Sequence, residues 1–253
     1  MLESNKIYQI DVLDGLKQLD DNSIDVIITS PPYNKAGLNG IKKRSSTNNW
    51  TSTIDYNNDV NVDNMPEEEY QKWQIDFLNE CFRVLKEDGS MFYNHKNRIH
   101  EGEIVSPYKW LFDTKFKIRQ EIIWDRGSTN NVNPCRYLPL TELIFWLTKS
   151  NKPNFRRNIE CSFKTEIWSF PFRTYTAHPA PFPLDLPDNI LDCIPKNGNE
   201  DMIVLDPFMG SGTVAISAIK HGFNYIGFDK FQIYVDMANE RINNFLKNEA
   251  IED

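Results

Sequence analysis

Closely spaced metal or disulfide ligands are missing from this chain. Its four cysteines, Cys81, Cys135, Cys161 and Cys193, are far apart and form no CxxC pair. Its four histidines are scattered, with no HExxH. Zinc sites need short ligand spacings and disulfide frameworks belong to small secreted chains, so reduced, mostly buried thiols and no metal are expected. No apolar run approaches the roughly 20 residues that cross a bilayer. The opening MLESNKIYQ has no charged-then-apolar signal layout, which points to a cytoplasmic protein. Positive charge is also scarce: 28 Lys and Arg stand against 36 Asp and Glu, a net charge of −8. That argues against a non-specific nucleic-acid coat. It leaves room for an enzyme with a local basic face, because counterion release depends only on the contacted surface. No internal repeat or low-complexity tail is evident.

What is present suits one α/β domain over residues 1–253. Hydrophobic residues make up 40% and aromatics 13%, enough for a sizeable core. Residues 7–11 read as a short strand ending in Asp11, and 12–19 as a helix with Val12, Leu13, Leu16 and Leu19 on one side. The β-branched run Val26-Ile27-Ile28 suits a strand buried on both faces. It breaks into Ser30-Pro31-Pro32-Tyr33. The prolines have fixed φ and no N–H, and each holds the residue before it extended. A hydroxyl, unpaired carbonyls and an aromatic ring then stand at a stiff strand end, where open α/β sheets bind ligands. A Pro-Pro loop whose tyrosine only caps the core fits the tetrapeptide equally well.

Three polar stretches interrupt the periodic segments. Residues 35–64 show no period and carry Lys42, Lys43 and Arg44. Residues 125–137 are Asn-rich, with Arg126, Asn130, Asn131 and Arg136. Residues 149–164 set Lys149, Lys152, Arg156, Arg157 and Lys164 against the single acid Glu160. Long irregular loops are functional or disordered, and local basic excess in an acidic chain marks candidate nucleic-acid faces. Solvated loops of no special role are the alternative. Between them, 65–85 reads as a helix with Trp73, Phe77, Leu78, Cys81, Phe82 and Leu85 at three- and four-residue spacing. Residues 86–89 end it. Strands are expected at 90–93, 116–124 and 141–148, and helices at 106–114 and 186–194. The Pro-rich, aromatic stretch 168–184 cannot be regular throughout.

The last fifty residues carry a second motif. An apolar strand at 202–205 leads into Asp206-Pro207-Phe208-Met209-Gly210-Ser211-Gly212-Thr213, then a helix at 214–220, a strand at 223–228 and Asp229 at its end. Gly210 and Gly212 let a ligand lie against the backbone, and an acid ending the second strand suits a ribose diol. The glycine spacing alone would also admit NAD. However, Asp206 would repel a pyrophosphate and welcome a cation, and only one helix, 232–248, follows Asp229. A nucleoside with a positively charged tail, such as S-adenosylmethionine, fits better. A sheet cannot stop at the strand of Asp229, so the strand of Asp11 must lie beside it. The fold is then a circularly permuted, doubly wound sheet.

In these motifs the chain resembles the amino-group DNA methyltransferases of the permuted β class, in particular the cytosine-N4 enzymes of restriction-modification systems. Ser30-Pro31-Pro32-Tyr33 matches the catalytic tetrapeptide, and the run from Asp206 to Gly212 the methionine-binding loop. Asp229 takes the place of the ribose acid, usually a Glu, and Asp11 that of the acid at the adenine ring. The stretch around His178, Ala180 and Phe182 resembles the cover of the methionine end. The resemblance implies a Rossmann-like, mostly parallel seven-stranded sheet, S-adenosylmethionine as cofactor and double-stranded DNA as substrate. A cognate restriction endonuclease and a monomer or homodimer go with it. Ser ahead of Pro-Pro-Tyr is the variant associated with cytosine N4, although adenine N6 fits the same acceptors. The usual large recognition insert is missing, so the three polar loops would read DNA. Direct methyl transfer is expected, with the Ser30 hydroxyl and the Pro31 carbonyl holding the target amine and Tyr33 stacking on a flipped base. A protein, RNA or small-molecule methyltransferase is the more distant reading.

Overall fold

A computed structural model of the protein describes residues 2–34, 65–129, 133–157, 164–170 and 183–252. Its strands are β1 (Lys6–Gln9), β2 (Ile24–Thr29), β3 (Leu85–His95), β4 (Arg98–His100), β5 (Glu103–Val105), β6 (Lys117–Asp125), β7 (Thr141–Thr148), β8 (Ile167–Ser169), β9 (Ile203–Asp206) and β10 (Asn224–Asp229). Its helices are α1 (Val12–Lys17), α2 (Glu67–Val84), α3 (Tyr108–Leu111), α4 (Asp185–Leu191), α5 (Thr213–Lys220) and α6 (Gln232–Glu252). Among the described residues no helix is long and apolar enough to cross a membrane.

Every residue of β2 is buried, as its continuous apolar run requires of a central strand. The main sheet runs β1-β10-β9-β2-β3-β7-β6-β8. Neighbours from β1 through β3 are parallel, β7 is antiparallel to both β3 and β6, and β8 is parallel to β6. The seven expected strands are joined by β8, a short eighth at the β6 edge. The first strand lies beside the last, with Gln9 opposite Asp229. The permutation read from the motif order is therefore built into the sheet.

Two apolar layers flank the sheet. Val26 and Ile28 face a cluster with Leu186, Ile190, Val214 and Ala218 of α4 and α5. Ile27 faces the other side, with Leu16 of α1, Phe77 and Leu78 of α2 and Trp110 of α3. The buried stripe of α2 is Tyr70, Gln74, Phe77, Leu78, Cys81 and Val84, while Trp73 and Phe82 are only partly covered. Gln74 can be inside because it accepts from the Tyr93 hydroxyl and donates to that of Tyr70.

Three local expectations are corrected. Residues 86–89 do not separate helix from strand but form a bulge inside β3, where the register jumps from Ile24–Leu85 to Val26–Ser90. Gly89 fits there because a Cβ would lie 2.9 Å from the Asp25 backbone carbonyl, as well as against the Leu85 side chain. The helix at 106–114 shrinks to α3, and the hairpin β4–β5 was not expected at all. Cys81 and Cys193 are buried thiols, Cys135 is exposed, and Cys161 lies outside the described residues.

The start of α2 is tied to the β4 strand by a buried ion pair. Arg98, with a side chain 1% exposed, makes two bonds of 2.8 Å to the Glu67 carboxylate and packs its guanidinium 4.7 Å from the Tyr70 ring centroid. Removing one partner of a buried pair strands the other. Arg98→Ala is therefore expected to lower unfolding stability by about 3–5 kcal/mol. Urea titration measures this; a change near zero would mean that the pair is solvated.

Candidate active site

Five parallel strands end at one edge of the sheet, and most of the candidate residues collect there. Asp206 closes β9 and Asp229 closes β10. Asp206 accepts from the Thr29 hydroxyl at 2.8 Å and from the Phe208 N–H at 3.0 Å. Asp229 accepts from the Gly210 N–H at 3.0 Å and the Phe231 N–H at 2.9 Å. Burial pushes the Asp206 carboxyl up to about 7, with the Asp229 charge adding to it and the Phe208 and Thr29 bonds opposing. Burial likewise raises Asp229 to about 6 against its two backbone bonds. Two carboxylates held where ionisation is costly suit a ligand that brings hydroxyl donors and positive charge.

The loop between them needs its glycines. Gly210 and Gly212 have φ of +52° and +79°. A Cβ on Gly212 would come within 2.9 Å of the Ala238 Cβ, so α6 can pack here only against glycine. The Ser211 carbonyl and the Thr213 hydroxyl both accept from Arg241 of α6, which fixes the loop from behind. Pro207 is buried, and Phe208 packs its ring 5.1 Å from Phe77, so these two shape the turn from the core side. Asp11 is exposed and caps α1 through a 3.0 Å bond from the Leu13 N–H, one residue beyond the Ile10 N–H that bonds the Asp229 carbonyl.

Ser30 follows β2 on the neighbouring strand end, and its hydroxyl lies 2.8 Å from that of Tyr33. The Tyr33 hydroxyl donates to Glu142 at 3.1 Å and accepts from the Asn94 amide at 2.8 Å. Asn94 also reaches the same Glu142 oxygen at 3.1 Å, and Arg126 bonds the other at 2.6 Å. Burial, then the Glu142 charge, raises the Tyr33 phenol well above its ordinary range, so it stays neutral. The Pro32 carbonyl accepts from Tyr70 at 2.7 Å. The Pro31 carbonyl has no hydrogen bond among the described residues.

These positions revise several sequence expectations. Tyr33 is 7% exposed, with its ring 4.5 Å from His95 and the Lys96 ammonium 5.8 Å from its centroid. It has little face left for a base, and the structure gives it a hydrogen-bonding role instead. Arg126 is turned inward onto Glu142 rather than outward to phosphate. Arg156 and Arg157 follow β7, which runs away from the site. The neighbouring Asn154 N–H bonds the Asp88 carbonyl, and that of Arg156 the Cys193 carbonyl, so this segment starts at the opposite sheet edge. Arg136 stays at the site edge, on the β6–β7 connection, beside Tyr137 and Leu138, which are 98% and 51% exposed. Lys42, Lys43, Arg44, Asn130, Asn131, His178, Ala180 and Phe182 lie outside the described residues. The sequence reading missed Asn94 and Glu142. Their one trace is a polar residue set inside an apolar strand, where burial demands a partner.

Comparison with known proteins agrees with this fold. A family model described as DNA methylase, for N6 and N4 methyltransferases, matches residues 24–240. The chain belongs to this family. Among curated relatives, the type II methyltransferase M.BglII of Bacillus subtilis is 27% identical, with 92% of this chain and 68% of that protein covered. M2.MboI of Moraxella bovis is also 27% identical, with 96% and 90% covered. Among solved structures, the PvuII DNA methyltransferase (cytosine-N4-specific) superimposes with a TM-score of 0.73 at 19% identity, over 97% of this chain and 92% of that one. The complex of M1.HpyAVI with SAM gives 0.60 at 21% identity, over 93% and 98%.

A pH prediction for this methylase follows from the buried acids. With the folded carboxyl of Asp206 raised from 3.8 to about 7, the unfolded chain releases the proton first. The contribution of Asp206 to stability is full below about pH 4 and is lost as pH rises through about 7. Asp206→Asn keeps an acceptor for Thr29 and Phe208 and removes the titration. In the ligand-free protein this variant is expected to flatten the decline in melting temperature across that window and to be the more stable of the two at about pH 8. Parallel pH profiles for variant and wild type would show that Asp206 ionises there without cost.

Proposed function

We propose that this DNA methylase moves a methyl group from S-adenosylmethionine to the exocyclic N4 amine of a cytosine flipped out of duplex DNA at a specific site. The observation that carries this is the pair of acceptors at the end of β2. Ser30 and the Pro31 carbonyl stand one strand away from the acid-and-glycine loop, and the Thr29–Asp206 bond joins the two. Asp206 and Asp229 are acceptors that fit the ammonium and ribose of the cofactor, and Asp11 stands at the end of the neighbouring strand, on the side left for its base. When bound, S-adenosylmethionine supplies an electrophilic methyl.

The residues of the chain then have to prepare a poor nucleophile. The lone pair of an exocyclic amine is delocalised into the ring. Acceptors on its two hydrogens favour tetrahedral geometry and turn the lone pair outward, which is catalysis by positioning and electrostatics. A serine hydroxyl is too weak a base to deprotonate the amine beforehand, so the proton leaves after attack, once the nitrogen is cationic. Cytosine N4 is favoured because Ser, rather than an acid or amide, precedes Pro-Pro-Tyr. A single domain binds the duplex, with residues 35–64 and the connection bearing Arg136 and Tyr137 towards the DNA. Relatives named type II methyltransferases support a site-specific enzyme and a partner endonuclease of matching specificity.

The test is incubation with methyl-labelled S-adenosylmethionine and mixed-sequence duplex DNA, followed by nucleoside mass spectrometry. N4-methylcytosine is expected; N6-methyladenine would keep the chemistry and overturn the base assignment. Ser30→Ala is expected to leave cofactor affinity intact and to lower the single-turnover rate roughly 100-fold or more. An unchanged rate would remove Ser30 from the mechanism.

A further inference from the structure

Glu142, Asn94 and Arg126 come from three different strand ends and meet behind Ser30. We infer that Glu142 is a positioning residue that fixes Ser30 as a hydrogen-bond acceptor, acting through Tyr33. This rests on the amine-methylation reading above and names the group that makes Ser30 fit for it.

The assignment follows from counting hydrogens. The Glu142 carboxylate is acceptor-only, and one of its oxygens takes the Arg126 guanidinium at 2.6 Å. Its other oxygen faces the Tyr33 hydroxyl and the Asn94 amide nitrogen, each at 3.1 Å. A phenol has one hydrogen, and here it goes to Glu142. The Tyr33 oxygen can then only accept, from Asn94 at 2.8 Å and from Ser30 at 2.8 Å. The single hydrogen of Ser30 is therefore spent on Tyr33, and both of its lone pairs remain available. An exocyclic amine offers only hydrogens towards such a pair of acceptors, so the polarities match. A serine free to rotate would present its own hydrogen to the amine as readily as its lone pairs.

Asn94 makes the arrangement one-directional. Reversing its amide would set the oxygen against the Glu142 carboxylate. In the orientation seen, that oxygen is buried with no hydrogen bond among the described residues, so the side chain is held by its nitrogen alone. Leaving a buried acceptor unsatisfied is unfavourable. The network keeps this defect and in return aims two N–H donors at Tyr33 and Glu142. Asn94 also lies 3.5 Å from the Ser30 oxygen, too far for a good bond, which leaves Tyr33 as the partner that orients it.

Glu142→Gln reverses the polarity without changing the shape. Arg126 draws the new amide oxygen, and the amide nitrogen turns to Tyr33. The phenol hydrogen is then driven onto Ser30, which loses one lone pair to it and the partner that kept its own hydrogen away from the amine. Single-turnover methylation with both ligands saturating is expected to fall roughly 100-fold. Dissociation constants for S-adenosylmethionine and duplex DNA stay within about twofold, a split between rate and affinity that a general loss of structure would not give. Combined with Ser30→Ala, Glu142→Gln is expected to cost less than about threefold more, because a residue acting through Ser30 has nothing left to position. Tyr33→Phe deletes one oxygen and should show the same silence on the Ser30→Ala background, which serves the test should Glu142→Gln disturb folding. Full multiplication of the two effects would overturn the role of Glu142 and leave the methylation reading standing. Ser30→Ala with an unaltered rate would remove both Ser30 and Glu142 from the mechanism, whereas no label in DNA from the wild type would overturn the methylation reading itself.

Discussion

The site depends on β2 lying beside β9. These strands are separated by some 175 residues of chain, yet Val26 pairs with Val204 and Ile27 with Leu205, and Thr29 donates to Asp206 just beyond. That one hydrogen bond ties the segment bearing Ser30 to the loop bearing Gly210 and Gly212. It is held by burial rather than by its own strength. A neutral hydroxyl–carboxylate bond contributes modestly, but β2 is covered on both faces and cannot slip by one residue without moving its apolar side chains to the wrong layer. Register in the core therefore sets distances at the edge.

The same burial that fixes the geometry strains the electrostatics. Asp206 and Asp229 sit in surroundings that disfavour their charges, and no basic side chain neutralises either among their described hydrogen bonds; they are met by a hydroxyl and by backbone amides. A nearby lysine would have stabilised the protein and repelled a cationic ligand. Stability is given up here at the point where a ligand can restore it, a common pattern at functional sites.

Much of this was legible in the sequence because it is local. The apolar run 26–28 and its break into two prolines are adjacent residues, and so are the acid, the glycines and the helix from Asp206 to Lys220. The permutation followed from a simple need, that the strand of Asp229 have a neighbour. The β4–β5 hairpin was illegible because its strands have three residues each and its turn is marked only by Gly102. The bulge in β3 is hidden because Lys86-Glu87-Asp88-Gly89 has the composition of a helix end, and only the pairing with β2 makes it part of a strand. Composition marks Arg126 as a candidate DNA contact, whereas depth decides its role: it pairs with a buried acid. Glu142 and Asn94 lie 109 and 61 residues from Tyr33, so no spacing could join them.

The Pro-Pro segment is held from both sides by tyrosines that do different work. On the α2 side, Gln74 donates to the Tyr70 hydroxyl at 2.7 Å, and that hydroxyl donates to the Pro32 carbonyl. With its hydrogen so used, the Tyr70 oxygen can only accept from His95 Nε2 at 2.8 Å, and the Lys96 N–H donates to His95 Nδ1. His95 thereby turns Nε2–H towards Tyr70, its Nδ1 meets the Lys96 backbone at both N–H and carbonyl (2.8 and 2.9 Å), and its ring lies against Tyr33. On the other side Tyr33 takes the Ser30 hydrogen. Between them the two tyrosines occupy the Pro32 carbonyl and the serine proton and leave the Pro31 carbonyl and the serine lone pairs. Because every link is bonded and at least partly buried, these acceptors need little reorganisation when a donor arrives, which is the condition under which weak, neutral groups can contribute to a rate.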